Sequence, residues 1–419
     1  MQASILSVGT ELLFGQTINT NAAFLSERLN QMGIDVMYHF TVGDNPERLE
    51  EILEEALKKT DLVITTGGLG PTQDDLTKEI VCQVMKDELV LNEPALLAIQ
   101  QFFLKVNRPM TDNNLKQAYV PKSAIVLQNT MGTAPGFVLT KENKTVACLP
   151  GPPREMSAMF DASLAPILEK MSGSSIFYRM VRTYGIGESA LETSLMDLID
   201  TQTDPTIATY AMEGECYLRV TSKRSSREDA VKQVDNMVDR IASRIGTYIY
   251  SIDGQNLVDV VASKLLEKEL SISCAESCTG GLFAATLTRV PGISAVFDRG
   301  FVTYSNQSKI DELGVNPDTL VMYGAVSRET AREMAEGVFH ATGSNLCIAV
   351  TGIAGPEGGT DEKPVGLVCI SLIVTDEAGN QQIYEEEKHI QRNHREKNRE
   401  LAVLAMLHIL YRALNTGCA

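Results

Sequence analysis

Two rhythms of apolar residues alternate along the first 170 positions. Short runs at 4–8, 35–42 and 62–66 are dense in β-branched and aromatic residues, which suits strands. Between them, 21–32 and 46–59 repeat apolar residues at helical spacing, and Asn45-Pro46 supplies a cap and a first-turn proline for the second helix. This alternation predicts a parallel sheet covered on both faces. The run at 62–66 leads straight into Gly67-Gly68-Leu69-Gly70-Pro71-Thr72-Gln73-Asp74-Asp75, a glycine loop opening another helix. Strands near Ile125, Phe137 and Val146 follow, and Pro150-Gly151-Pro152-Pro153 leads into a helix that ends near Lys170.

The periodicity stops at Met171-Ser172-Gly173-Ser174-Ser175, where small polar residues mark the first boundary. The next segment reads strand, helix from Glu188, strands around Ile207 and Tyr217, a long helix from Glu228, and a strand at 248–252, enough for a small α+β module. Asp253-Gly254-Gln255-Asn256 forms a second hinge, after which the α/β alternation resumes to a C-terminal helix. The expected domains are therefore 1–171, 176–252 and 256–415, in keeping with a chain of 419 residues. No internal repeat or low-complexity tract interrupts them.

Charge narrows the function. A formal charge of −17 argues against general nucleic-acid binding, which needs clustered Lys and Arg against phosphates. Small anionic ligands remain open to it, because local cations and helix ends outweigh distant charge. The eight cysteines are scattered without a Cys-x-x-Cys pair, as expected of reduced thiols in a cytoplasm. The first residues read as a strand rather than a signal peptide, and no apolar run is long enough to span a bilayer.

The densest candidate chemistry is Ala-Glu-Ser-Cys-Thr-Gly-Gly at 275–281, placed after a short strand at 272–275 and expected to open a helix running through Thr288. A hydroxyl at such a turn is exposed beside free backbone N–H groups, which suits a nucleophile with an oxyanion site built from Thr279, Gly280 and Gly281. Taken alone, Ser277 reads equally as a helix N-cap. No histidine stands near in sequence, so the proton acceptor to seek is a lysine. Lys309, 32 positions on in Tyr304-Ser305-Asn306-Gln307-Ser308-Lys309, can reach the same sheet edge across one helix and one strand. Its unperturbed pKa of about 10.4 requires desolvation or a neighbouring cation before it can act as a base at neutral pH. Cys278 is the rival nucleophile, since thiolates at helix starts are reactive.

A second glycine-rich turn, Thr351-Gly352-Ile353-Ala354-Gly355-Pro356 with Gly358-Gly359, follows an apolar strand and can lay N–H groups around a phosphate. Arg395 and Arg399 lie one turn apart on the last helix, able to grip an anion together or to pair with Glu385, Glu386 and Glu387.

These strings carry a resemblance. Residues 256–415 resemble the CinA C-terminal domain, the nicotinamide mononucleotide deamidase family, through AESCTGG, GFVTYSN with its following lysine, TGIAGPEGG and KPVG. The resemblance implies Ser277 as nucleophile, Lys309 as its base, Tyr304 nearby, and substrate-binding roles for Thr351, Gly352, Ala354, Gly355, Gly358, Gly359, Arg395 and Arg399, with no cofactor for deamidation. Asn393-His394 replaces the family's usual Gly-Asp before the first arginine.

Residues 1–170 resemble the molybdopterin-binding fold of the CinA N-terminal domain, through Ser7-Val8-Gly9-Thr10-Glu11-Leu12-Leu13, Asn19-Thr20-Asn21 and the stretch from Gly67 to Lys78. This implies a nucleotide site at Gly9, Glu11, Asn21, Gly67, Gly68, Gly70 and Thr72, and metal-dependent hydrolysis of the ADP-ribose pyrophosphate bond with magnesium or a similar divalent ion, and potassium as a further candidate. Asp74 and Asp75 are the expected metal ligands, being paired hard oxygen donors at a helix start, although such residues also cap helices. Asn19 stands where many relatives carry Asp. Relatives of this fold also bind molybdopterin, so fold alone does not fix the chemistry.

The middle segment resembles the family's KH-like module through Tyr184-Gly185-Ile186-Gly187-Glu188 and Leu218-Arg219-Val220, without the Gly-x-x-Gly loop that clamps a nucleic-acid backbone. The implied fold is two three-layer α/β domains joined by this α+β module. The implied protein is a cytoplasmic, homodimeric enzyme of pyridine-nucleotide salvage acting on nicotinamide mononucleotide and ADP-ribose. The competing expectation is a non-catalytic adaptor linked to competence and the recombination machinery.

Overall fold

The computed structural model describes residues 1–172, 175–224, 226–390 and 394–416. Gly173 and Ser174 of the first expected boundary, Asn393 and Cys418 lie outside the described residues. The chain divides into two compact units, one of Met1–Tyr178 with Ser222–Lys232, the other of Arg179–Thr221 with Gln233–Ala419.

Eight strands belong to the N-terminal unit: β1 (Gln2–Val8), β2 (Asp35–Val42), β3 (Leu62–Thr66), β4 (Leu89–Leu91), β5 (Tyr119–Pro121), β6 (Ile125–Leu127), β7 (Gly136–Lys141) and β8 (Lys144–Leu149). Six form one sheet in the order β2-β1-β3-β8-β7-β6, and β4 pairs with β5 in a separate ribbon. The β2-β1-β3-β8 pairings are parallel, whereas β7 runs antiparallel to β8 and β6 to β7. The sheet is therefore mixed, not the parallel one that the alternation predicts. Only Glu142 and Asn143 separate β7 from β8, and Glu142 takes a positive φ of 54°. Two residues can close a hairpin but cannot carry a crossover helix.

Period-two alternation splits the core across this sheet. Ile5 and Ile64 face Leu25, Leu29 and Phe160, while Leu6 and Val63 face Leu49, Leu53 and Val81. Helix Thr20–Gln31 covers the first face, its N-cap Asn19 accepting the Ala22 N–H; helix Pro46–Lys59 covers the second, capped by Asn45.

The KH-like segment carries β9 (Ser175–Tyr184), β10 (Thr206–Met212), β11 (Glu215–Arg224) and β12 (Ile249–Ser251) in the order β10-β11-β9-β12, with helices Glu188–Asp200 and Arg227–Ile245. Beyond it come β13 (Ile272–Glu276), β14 (Phe297–Val302), β15 (Leu346–Gly352), β16 (Leu367–Thr375) and β17 (Gln381–His389), ordered β14-β13-β15-β16-β17. The first three are parallel and the last two antiparallel. Ile348 and Val350 pack toward helices Leu257–Glu267 and Arg395–Asn415, and Cys347 and Ala349 toward helix Arg328–Thr342. Each α/β domain is thus three layers, with the carboxyl ends of its parallel strands opening at one edge of the sheet, where such folds place their ligands.

Candidate active site

All five residues of β13 are buried, so the strand ends on a buried acid, Glu276. The helix beyond it begins only at Leu282, with Gly281 at its cap position in the left-handed region (φ 90°) and no side-chain cap there. Ser277 is therefore not the N-cap, and the helix starts five residues later than its sequence suggests. Glu276 takes the capping role instead: its carboxylate accepts the N–H groups of Gly281, Phe283 and Ala284 at 3.1, 3.0 and 2.9 Å. A buried anion at a helix N-terminus satisfies donors that would otherwise be orphaned and meets the positive end of the dipole. Residue pattern alone does not single out Glu276. Its signal is an acid just before the turn, with only glycine where a capping side chain should stand.

Glu276 also accepts the Thr303 N–H through its carbonyl at 3.0 Å, tying the exit of β14 to the serine turn. From there the chain enters helix Asn306–Leu313, started by a reciprocal Ser305–Ser308 cap, and Lys309 points back inward. Lys309 Nζ lies 3.1 Å from Ser277 Oγ and donates to the Thr303 carbonyl at 2.8 Å, with Ser305 O at 3.5 Å. The lysine is 1% exposed and the serine 8%. Burial lowers the amine's pKa from its ordinary value. A neutral amine has two N–H groups and one lone pair; two carbonyls can take the former, which leaves the lone pair for the serine hydroxyl.

The expected oxyanion donors change. Gly280 N–H already donates to Ser277 O at 3.1 Å, and Gly281 N–H is held by Glu276. Among the described residues the turn's remaining candidates are the N–H groups of Thr279 and of Cys278, neither of which donates to a backbone carbonyl. The Cys278 sulfur packs into the core against Gly352, and burial pushes the thiol up to about 12. Cys278 is a core residue rather than a poised nucleophile.

The second glycine turn and the last helix close around the same place. Arg395 donates to Gly355 O and to the Tyr304 hydroxyl, both at 2.7 Å; Asn398 donates to Ala354 O at 2.9 Å; Arg399 donates to Thr279 O through Nε and Nη2 at 3.2 and 2.8 Å. The two arginines thus brace both loops instead of standing ready as a bidentate anion clamp. Nor do they pair with the acids of β17: Glu385 meets Arg332, Glu386 meets Lys388 and Glu387 meets Arg328. Thr351 is buried and bonds Ala325 O at 2.7 Å, so it supports the loop from below. Gly352 ends β15, while Gly358 and Gly359 stand exposed against Ile353 and Val365. Tyr304 is 60% exposed, placing the Tyr304–Arg395 pair at the surface beside an almost buried Ser277.

In the N-terminal unit, Gly9, Glu11, Gly67, Gly68, Gly70, Asp74 and Asp75 line one cavity of about 390 Å3, joined by Asp44 and Glu155. Gly67 has φ 107°, and a Cβ there would collide with the Val8 carbonyl, so this loop needs glycine. Asn21 borders a neighbouring cavity of about 340 Å3, its amide donating to Thr66 Oγ1 and Gly151 O while its buried Oδ1 has no partner. Thr72 donates its N–H and hydroxyl to Asp75, so that carboxylate closes the loop and is not free to serve a metal with all its oxygens. Lys116 braces the same loop through Thr72 O and Asp75 O at 3.1 and 2.5 Å. Lys78, nearly buried, donates to Lys116 O and is pushed down to about 8, chiefly by burial. Asn19 is a helix cap and a donor to Ser7, which accounts for an amide at that position.

Among the described residues no group of three or more His, Cys, Asp or Glu is placed to hold a metal ion. Magnesium, however, is commonly held by one or two carboxylates completed by water and substrate phosphates. Glu11 and Asp74, facing the same cavity, suit that mode.

Three family models match this chain. A molybdopterin binding domain model matches residues 4–170, the damage-inducible protein CinA KH domain matches 178–251, and the CinA C-terminal domain matches 254–414. A relative from Acetivibrio thermocellus, whose name refers to competence and damage induction, is 52% identical over 372 residues, 89% of this chain and 90% of that one. The chain belongs to the CinA family. A CinA-like protein from Dictyoglomus thermophilum is 50% identical over 377 residues, 90% of this chain and 92% of its own. A CinA crystal structure from Thermoplasma acidophilum, described as of unknown function, covers 40% of this chain and 99% of its own at 38% identity and a TM-score of 0.38. Among the described residues, no helix is long and apolar enough to cross a membrane.

Proposed function

We propose that the C-terminal domain is an amidohydrolase converting nicotinamide mononucleotide to nicotinic acid mononucleotide and ammonia. The observation that carries this reading is the 3.1 Å approach of a buried, pKa-lowered lysine to a serine hydroxyl at a strand-to-helix turn. Lys309 takes the hydroxyl proton as Ser277 Oγ attacks the carboxamide carbon. The oxyanion forms beside the Cys278 and Thr279 N–H groups. Collapse expels ammonia, which leaves with the proton returned by Lys309. Water, deprotonated by the same amine, then cleaves the acyl-serine ester. The step balances without a metal ion. Tyr304 and Arg395, at the surface, meet the ribose phosphate end. Ammonia release by wild type and Lys309→Ala tests the reading: a variant as active as wild type ends it, and a wild type releasing none favours the competing reading of a non-catalytic adaptor.

The N-terminal domain is read as a metal-dependent hydrolase of ADP-ribose, giving AMP and ribose 5-phosphate. The acid-lined cavity beside the glycine loop supports this. Glu11 and Asp74 would hold a divalent ion, which would neutralise pyrophosphate charge. Gly67, Gly68 and Gly70 let the loop backbone approach the phosphates, and Lys116 keeps the loop in place. Turnover of ADP-ribose that survives chelation, with or without potassium, would exclude the metal role. A cytoplasmic homodimer is the assembly proposed.

A further inference from the structure

Beside the acidic cavity of the N-terminal unit lies a smaller one of about 180 Å3 with a different character. Helix Glu93–Lys105 provides Pro94, Ala95, Ala98 and Ile99, and β6 provides Val126, so one side of it is apolar. None of the residues lining it carries a charge, whereas Glu11, Asp44, Asp74, Asp75 and Glu155 all border its neighbour. Its polar lining residues are Asn92, Gln128, Asn129 and Thr133.

A single turn separates the two spaces, and Thr133 lines both. Asn129 organises this turn: its Oδ1 accepts the Met131 and Gly132 N–H groups at 3.0 and 2.8 Å, and its Nδ2 donates to Ala134 O at 2.9 Å and to Glu155 at 2.7 Å. A Cβ on Gly132 would collide with the Glu155 carboxylate, which keeps the septum thin. A molecule that is anionic at one end and flat and neutral at the other could therefore lie across the turn in both spaces.

We propose that the apolar slot holds the uncharged heterocyclic base of the nucleotide whose phosphates lie against the Gly67–Gly70 loop. The inference rests on the reading of this unit as a nucleotide hydrolase and adds where the base is recognised. Ligand sites combine apolar walls with a few placed polar groups, and a side-chain amide can both donate to and accept from a base edge. The slot supplies both, with Gln128 as the group that reads the edge. A base-free sugar phosphate has nothing to place there.

The test measures binding of AMP and of ribose 5-phosphate to the full chain by calorimetry, with magnesium present, in wild type, Ala98→Phe and Val126→Phe. Filling the slot from either wall should weaken AMP at least about tenfold while ribose 5-phosphate stays within about twofold. AMP binding unchanged in both variants, equal losses for both ligands, or no AMP binding by wild type would overturn the proposal. Hydrolysis of ADP-ribose, assayed beside it, separates the two readings: turnover with an unaffected KM in both variants removes the slot alone, and AMP binding sensitive to both variants without turnover removes the hydrolase alone.

Discussion

Glu276 Oε1 accepts the Ala284 N–H at 2.9 Å, and this bond fixes the far side of the turn that carries Ser277. Two more N–H groups converge on the other carboxylate oxygen, at Gly281 and Phe283. Glu276→Ala leaves these donors without an acceptor in a largely buried setting, at a cost of roughly 3 kcal/mol. It should lower the melting temperature and, because the serine turn loses its anchor, reduce kcat for deamidation more than it raises KM. Glu276→Gln keeps one acceptor oxygen and should fall between. Thermal unfolding with steady-state kinetics checks both, and a variant stable and active as wild type would show that the turn holds without the carboxylate.

The Lys309 amine predicts a pH profile. Its neutral form is the base, and burial lowers its pKa, so kcat/KM should rise with pH through the lowered value and level off below the usual lysine range near 10.4. The same shift affects stability. Between the lowered folded value and the unfolded one, the unfolded chain binds more protons, so this lysine makes stability rise with pH across that window. Lys309→Arg cannot lose its proton and should be inactive throughout. A wild-type rate that falls across the same range would contradict a lysine base.

Ser277→Ala should lower the deamidation rate about a thousandfold or more, whereas Cys278→Ala should keep most of it. The thiol is pushed up to about 12 by burial and packs against Gly352, so it should also resist alkylation in the folded protein. Mass measurement after iodoacetamide, alongside ammonia release, distinguishes the two residues. Loss of activity in the cysteine variant with full activity in the serine variant would exchange their roles.

Much of this site could be read along the chain because its partners sit in short, unusual strings. Ser277 and Lys309 each follow a strand in the same parallel set, so chain order alone brings them to one edge. What the sequence hid was the destination of side chains. Glu276 looks like the last residue of a strand, and only the late start of the helix, at Leu282, makes it a cap. Arg395 and Arg399 share a face as their spacing requires, yet loop carbonyls, invisible in a residue pattern, take them. The mixed N-terminal sheet is hidden for a related reason: alternating apolar residues define a strand but not its direction, which here is set by the two-residue link at Glu142.

Asp74 and Asp75 are adjacent in sequence and should separate in experiment. Asp75 receives the Thr72 N–H at 3.0 Å and the Thr72 hydroxyl, and its carboxylate leaves no room for a Cβ on Gly70. Asp75→Ala should therefore loosen the loop, at a cost of about 1 kcal/mol typical of a lost cap, and lower ADP-ribose turnover without changing the metal concentration at half-maximal rate. Asp74 is exposed at the cavity and makes no such bond. Asp74→Asn should leave the melting temperature unchanged and raise the magnesium requirement several-fold, since one hard anionic oxygen is replaced by a neutral amide. Magnesium titrations of both variants decide the matter: a shifted requirement in the Asp75 variant alone would move the metal to the loop-closing carboxylate.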